Sequence, residues 1–210
     1  MKLSEQTVEV LKNFATINQN LVIKEGNTLT TMSAMKNIVA KAEVSESFER
    51  EVAIYDLNEF LASLSLFKSP VLEFDESFVT IKEENTTTSL KYFYSDPSVV
   101  TTPSKTIKMP SKEVTFSLKG EDLTKLKRAA GVIGAPDLVL ERKDTGSFLT
   151  VKDKKNDTAN TFSLDVTTTS EGNFNCFFTV ENLKVMDGNY DVEISSKNIS
   201  HLSSSNKDVE

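Results

Sequence analysis

A chain of 210 residues, 38% hydrophobic and 26% charged, can form one large domain or two of about 100 residues, and it lacks the composition of a disordered protein. No apolar run approaches the roughly 18 residues of a membrane span, no signal peptide precedes Lys2, and the lone cysteine, Cys176, excludes an internal disulfide, so a reducing, intracellular setting without membrane contact is expected. The net charge of −7 argues against nucleic acid on average, but an average hides local surfaces, so the placement of the 24 basic residues matters more than their sum.

The inventory for catalysis is thin. His201 is the single histidine, set in a Ser-rich run that reads as solvated surface, and there is no tryptophan. No Cys/His metal spacing, Walker loop, GxGxxG or GxSxG motif is present, so no enzyme, metal or cofactor is expected. The paired acids Glu83-Glu84 and Glu121-Asp122 read as strand-end and helix-start residues, where carboxylates are favoured anyway.

In chain order, the spacing predicts a helix at 4–17, then strands at 21–25, 28–34, 37–44 and 51–56. Within REVAIYDLNEFLASLSLF (50–67) the period changes. Val52 and Ile54 alternate as in a strand, whereas Leu57, Phe60, Leu61 and Leu64 have helical spacing. Asp56 stands at the switch, placed to accept from the free amides of a first helical turn. This second helix should end near Lys68, stopped by Ser69-Pro70, and strands should follow at 71–75, 77–83 and 88–94. The stretch SDPSVVTTPSKTIKMPSKE (95–113) holds three of the five prolines and neither period, so it reads as a linker.

The pattern then restarts: a strand at 113–119, a helix at 120–132, and strands at 137–143, 147–153 and 160–167. Residues 173–192 read as a strand, a short helix, a turn at Asp187-Gly188-Asn189 and another strand. A shift of 123 residues overlays Ile54–Phe60 on Phe177–Leu183 and puts Thr179, another N-cap type, on Asp56. A shift of 115 overlays Val8, Leu11, Lys12 and Ala15 on Leu123, Leu126, Lys127 and Ala130. Similar offsets for two separate elements imply two copies of one domain, at 1–94 and 113–210, joined by a connector at 95–112.

On a helical wheel the first helix gathers Val8, Val10, Leu11, Phe14, Ala15 and Ile17 on one half, with Glu5, Gln6, Glu9, Lys12, Asn13 and Thr16 opposite. The helix from Gly120 buries Leu123, Leu126, Ala129 and Ala130 and turns Lys125, Lys127 and Arg128 outward, with Lys119 just before it. Lys184 belongs to the short helix after Phe178, and Lys68 to the end of the helix after Asp56. Acidic residues gather elsewhere, in EVSESFERE, EFDESF and IKEEN. Ordinary solvated helix faces remain open as a reading of this pattern.

The opening MKLSEQTVEVLKNFATIN, the segment VAIYDLNEFLASLSL, the linker's SDPSVV and the later LKVMDGNY resemble the sliding clamp family of T-even-type bacteriophages, in register along nearly the whole chain. The resemblance implies an α+β chain of two similar DNA-clamp domains, each with antiparallel sheets outside and two helices inside. Three chains would make a head-to-tail homotrimeric ring of six domains around duplex DNA. Twelve helices about 10 Å apart need a circle of circumference about 120 Å. Once helix thickness is removed the hole is about 28 Å across, and a duplex roughly 20 Å wide passes through it. Four domains would leave only about 15 Å.

By the same resemblance, Lys12, Lys125, Lys127, Arg128 and Lys184 line the hole, with Lys119, Lys68 and Lys2 near it. Partner proteins would dock hydrophobic peptides near Ile107, Met109 and Pro110, unless Ile107 and Met109 simply pin the linker to the second domain. The implied partners are duplex DNA without sequence specificity, the replicative DNA polymerase, the clamp loader ATPase and late-transcription factors, in the cytoplasm of an infected bacterium. A non-enzymatic phage structural or adaptor protein is the alternative. The family ends with a further apolar strand, and HLSSSNKDVE offers little that could serve as one. The last strand is therefore expected to be missing, or the second domain to close differently.

Overall fold

A computed structural model describes residues 1–103, 107–170 and 172–210. The chain divides into two compact units, Met1–Thr106 and Ile107–Asp208. Every strand pairing in both is antiparallel.

The first unit starts with helix α1 (Glu5–Ile17), whose N-cap Ser4 accepts from the Thr7 amide at 3.2 Å. Val10, Leu11, Phe14 and Ile17 are buried, as the wheel requires, but Thr7 is buried too and Val8 only half so. The departure has a polar cause. Both the Thr7 hydroxyl and the Ser4 amide donate to the Glu46 carboxylate, so this corner of the helix is held by hydrogen bonds rather than apolar contact. Burial pushes the Glu46 carboxyl up, the bonds from Thr7 and Ser4 pull it down, and the bonds win, leaving it below the usual carboxylate range.

Strands β1 (Leu21–Ile23), β2 (Gly26–Met32), β3 (Val39–Phe48) and β4 (Val52–Ile54) follow, with β1 paired to β4 and β2 to β3. From β4 the chain enters helix α2 (Leu57–Ser65), where one Asp56 carboxylate oxygen accepts from the amides of Asn58 at 2.9 Å and Glu59 at 3.0 Å. The strand-to-helix junction is therefore real, and Asp56 makes it by satisfying two amides that no earlier turn can reach. Leu57, Phe60 and Leu64 are buried; Ser63 joins them by donating to the Glu59 carbonyl at 2.8 Å, and Leu61 is half-exposed. The helix stops at Ser65, short of Lys68. A sheet of β5 (Pro70–Phe74), β6 (Phe78–Glu83) and β7 (Ser89–Phe93) completes the unit. Tyr92 of β7 donates its hydroxyl to the Asp56 carbonyl at 3.1 Å and packs edge-on against Phe60.

The stretch read as a linker is partly seated. Asp96 caps a 3-10 turn at Pro97–Val99, Val100 is buried with Val22 and Ala53, and the Thr101 amide donates to Asn20 Oδ1 at 3.1 Å. Its far end belongs to the second unit, where Ser111 bonds Ser195 at 2.7 Å and Lys112 pairs with Glu193.

The second unit runs β8 (Val114–Leu118), α3 (Gly120–Ile133), β9 (Asp137–Lys143), β10 (Gly146–Lys152), β11 (Phe162–Val166), β12 (Asn175–Thr179), β13 (Tyr190–Ser195) and β14 (Ile199–Ser204). One sheet has the order β11-β10-β9-β12 and the other β14-β13-β8. Their facing side chains, with Leu123, Leu126 and Ala130 of α3, form one core.

One sequence expectation changes here. The short helix after Phe178 is a single 3-10 turn, Val180–Asn182, because Thr179 makes no side-chain capping bond and Val180, Asn182 and Val185 are poor helix formers. Among the described residues the second unit therefore has one α-helix, not two. The polar stretch near the C-terminus does contribute one strand, β14. Its backbone pairs with β13 from Ser195↔Ile199 to Tyr190↔Ser204, Leu202 reaches the core, and Asn198 takes the left-handed turn at φ 59°. A polar edge strand needs little apolar surface once its ladder is made.

The duplication expected from the sequence appears in hydrogen bonding. The amide that follows the strand donates to the loop after the long helix in both units, Leu57 to Gln19 at 2.6 Å and Val180 to Pro136 at 2.9 Å. In the same places β1 pairs with β4 and β9 with β12.

Candidate nucleic-acid interface

The candidate cations lie on helices and on the segments that flank them. Lys12 is exposed on α1, with Glu5, Gln6, Glu9 and Thr16 also exposed on that helix. Carboxylates thus dilute its charge. Helix α2 exposes Asn58, Glu59, Ala62 and Ser65, and its outer face carries no cation. Lys68 is exposed beyond its end, and Lys2 is exposed and paired to Glu84 at 3.0 Å.

Helix α3 differs. Buried Leu123, Leu126 and Ala130 fix its inner face, so Thr124, Lys125 and Arg128 stand outside. Lys125 is 3.5 Å from Asp122 one turn earlier, an exposed pair worth at most about 0.5 kcal/mol and easily surrendered to another anion. Arg128 presents a planar guanidinium suited to phosphate oxygens. Lys119 is exposed at the N-cap position of α3, where it offers no capping group.

The missing cap comes from far away in sequence. The Gly120 amide donates to Asn189 Oδ1 at 2.8 Å, and a Cβ on Gly120 would stand 2.8 Å from the Gly188 carbonyl oxygen. The turn Asp187-Gly188-Asn189 therefore lies directly against the start of α3. Asn after Gly is the sequence signal for such a polar turn, but nothing in the sequence says that it reaches a helix 69 residues earlier.

Lys127 does not stand with its neighbours. It is half-buried, and its ammonium donates to the Val185 carbonyl at 3.2 Å. Burial lowers its pKa below the usual lysine range, opposed by the Asp187 carboxylate. Lys184 is half-exposed in the same segment. The structure thus groups Lys125 and Arg128 on one exposed arc of α3 and turns Lys127 to the side, toward 183–187. On the connector, Ile107 and Pro110 are exposed and Met109 is half-buried. Among the described residues no group of His, Cys, Asp or Glu could hold a metal, and no helix is long and apolar enough to cross a membrane.

Two antiparallel α/β units in tandem define a known class. The fold matches proliferating cellular nuclear antigen from Entamoeba histolytica with a TM-score of 0.62 at 14% identity, over 90% of this chain and 85% of that one. It also matches a PCNA2-PCNA3 complex from Sulfolobus tokodaii, with a TM-score of 0.64 at 12% identity over 93% and 88%. At such identities the likeness is one of fold: this is the DNA-clamp fold.

Sequence narrows the class. Residues 2–102 match the family described as DNA polymerase processivity factor, and residues 115–207 that described as gp45 sliding clamp, C terminal. The sliding clamp of Vibrio phage KVP40 is 34% identical over 96% of this chain and 94% of its own length. Those of Escherichia phage RB69 and Enterobacteria phage T4 are each 31% identical, over 91% and 94% of this chain and 86% and 88% of theirs. The chain belongs to the phage sliding clamp family.

Proposed function

We propose that three copies of this chain close into a ring around duplex DNA and tether the replicative DNA polymerase to its template. The observation that carries the reading is the match to phage sliding clamps along both units, joined to an α3 that exposes Lys125 and Arg128. Binding is topological: a closed ring cannot leave a long duplex sideways, and cations near phosphate centre the DNA without reading its sequence. Lys12, Lys125 and Arg128 face the duplex, with Lys184, Lys119, Lys68 and Lys2 around them. An excess of carboxylates over the rest of the surface, at a net charge of −7, repels DNA from the wrong faces.

No chemical step belongs to the chain, which acts as a tether and not an enzyme. Sheet-edge strands, β7 in the first unit and β11 in the second, supply unpaired backbone for head-to-tail contact between copies, and such a contact closes at three. The clamp loader ATPase opens and closes the ring. The polymerase and late-transcription factors dock apolar peptides at the connector, around Ile107, Met109 and Pro110. The setting is the cytoplasm of the infected bacterium.

The test is retention on circular against nicked-linear DNA, with loader and ATP supplied. The chain should persist on the circle and run off free ends; equal loss from both would sink the ring. Sedimentation at graded concentrations supplies an independent check, for which a strict monomer throughout is the contrary result.

A further inference from the structure

In the first unit the strand leads into a nine-residue helix, α2; in the second the same junction leads into one 3-10 turn and then a loop to Tyr190. Such a loop lacks the repeating backbone bonds of a helix and must be held from outside. Val180, Leu183 and Val185 pack on the core, short backbone bonds close its first turn, and polar contacts to α3 and within the loop hold the rest. Lys127 Nζ donates to the Val185 carbonyl at 3.2 Å. Asn189 Oδ1 accepts from the Gly120 amide at 2.8 Å, and Gly188 lies so close to Gly120 that only a glycine fits there. Inside the loop, the buried Tyr190 hydroxyl donates to the Met186 carbonyl at 2.8 Å. Of these polar contacts to α3, only the Lys127 bond reaches the middle of the segment, next to Lys184. Lys127 is half-buried, and the Asp187 carboxylate bears on its ammonium.

We infer that Lys127 is a positioning residue: its ammonium fastens the Val180–Asn189 segment to α3 and so sets where Lys184 meets DNA, instead of meeting DNA itself. The DNA half of this inference rests on the function proposed above; the fastening half does not. Helical spacing at about 100° per residue already sets Lys127 off the arc of Lys125 and Arg128, on the flank of the face buried by Leu123 and Ala130. Its partner adds to the difference: the bond to a carbonyl in a half-buried site holds the ammonium there, and swinging it away to a phosphate would leave that carbonyl unpaired.

The experiment has two readouts on full-length protein. The first is amide hydrogen exchange of the 180–190 segment in the free protein, where the amides of Leu183 and Lys184 are bonded to Val180 and Asn182. Lys127→Met should speed exchange there about tenfold, the equivalent of losing one net hydrogen bond. Lys127→Arg should restore most of the protection, and Lys125→Met should leave it unchanged. Unaltered exchange in K127M would overturn the fastening role, whatever DNA does.

The second readout is the salt dependence of binding to a short duplex. One lost phosphate contact lowers the slope of log affinity against log salt by about 0.9. Lys184→Met and Lys127→Met should each lower it, and the double variant should lower it no further than K184M alone. Additive losses would make Lys127 a DNA contact in its own right and overturn the inference. Faster exchange with no slope change in either single variant would overturn its DNA half, and a normal slope change in Lys125→Met would then show that the wider DNA reading survives.

Discussion

The amide of Leu57 donates to the carbonyl of Gln19 at 2.6 Å, tying the first turn of α2 to the loop that follows α1. The corresponding bond in the second unit joins Val180 to Pro136 at 2.9 Å. After this shared bond the units part. Asp56 holds two amides of the next turn and a helix continues, while Thr179 holds none and the chain leaves helical geometry at Leu183, with ψ at 59°. One side chain at the junction thus separates a helix from a loop, and the loop is then secured by α3.

Removal of that side chain should be felt in the first unit only. Asp56→Ala should cost about 1 kcal/mol, the usual loss for an N-cap whose carboxylate serves two amides. Thr179→Ala removes no capping bond and should cost at most a few tenths of a kcal/mol. Urea unfolding of the two variants checks this, and equal losses would mean that the Asp56 bonds do not govern α2.

Two glycines of α3 should respond with opposite signs. At Gly120 an added Cβ meets the Gly188 carbonyl oxygen at 2.8 Å, and backbone on both sides leaves little room to yield. Gly120→Ala should therefore destabilise by roughly 1–3 kcal/mol, as overpacking does elsewhere. At Gly131 nothing lies within 4 Å, and the residue is helical. Gly131→Ala should stabilise by about 0.5–1 kcal/mol, because alanine has fewer unfolded conformations to lose. Thermal melts that moved both variants in one direction would refute the assignment.

Much of this architecture is legible in the sequence because it follows from periodicity. The alternation of Val52 and Ile54, the helical spacing from Leu57 and the acid at position 56 specify the β4–α2 junction from local information, and the structure places the strand, the cap and buried Leu57, Phe60 and Leu64 as expected, with Leu61 half-exposed. The buried face of α3 follows equally from Leu123, Leu126 and Ala130. What failed was non-local or polar. Thr7 is buried because Glu46, 39 residues away, accepts from it. Strand β14 forms because β13 supplies its ladder, and a wheel cannot see the Val185 carbonyl to which Lys127 donates. Lys125 and Arg128 were readable as a pair on one arc, and strict helical spacing also sets Lys127 off it; the Val185 carbonyl that Lys127 meets was not readable.

Acid should loosen the end of the connector through Glu113. Its carboxylate accepts from the Ser196 amide at 2.9 Å, from the Ser111 hydroxyl and from the Ser196 hydroxyl at 2.9 Å, which together hold its pKa down to about 2 from an ordinary 4.5. A carboxylate depressed on folding contributes stability that is present above the unfolded value and is lost as pH falls through the folded one. The contribution is thus complete above pH about 4.5 and disappears toward pH 2. Glu113→Gln should flatten the acid limb of the stability profile in that window. The group is exposed, so the difference should shrink in high salt. An unchanged acid limb at low salt would show that these serines do not hold the carboxylate in solution.

Charge reversal separates the two units as DNA-facing surfaces. On α3 the two exposed cations Lys125 and Arg128 stand with exposed Glu121 and with Asp122, whereas on α1 the single cation Lys12 stands with exposed Glu5 and Glu9. Each cation that meets phosphate adds about 0.9 to the slope of log affinity against log salt. Lys125→Glu with Arg128→Glu should therefore lower that slope by about 2 and slow loading onto circular DNA. Lys12→Glu should lower it by no more than about 1, because neighbouring carboxylates already weaken the field there. All three side chains are solvent-facing, so melting temperature should stay within a degree or two of the parent and a folding defect is distinguishable from a DNA defect. A larger effect at Lys12 than at the α3 pair would move the principal DNA-facing surface to the first unit.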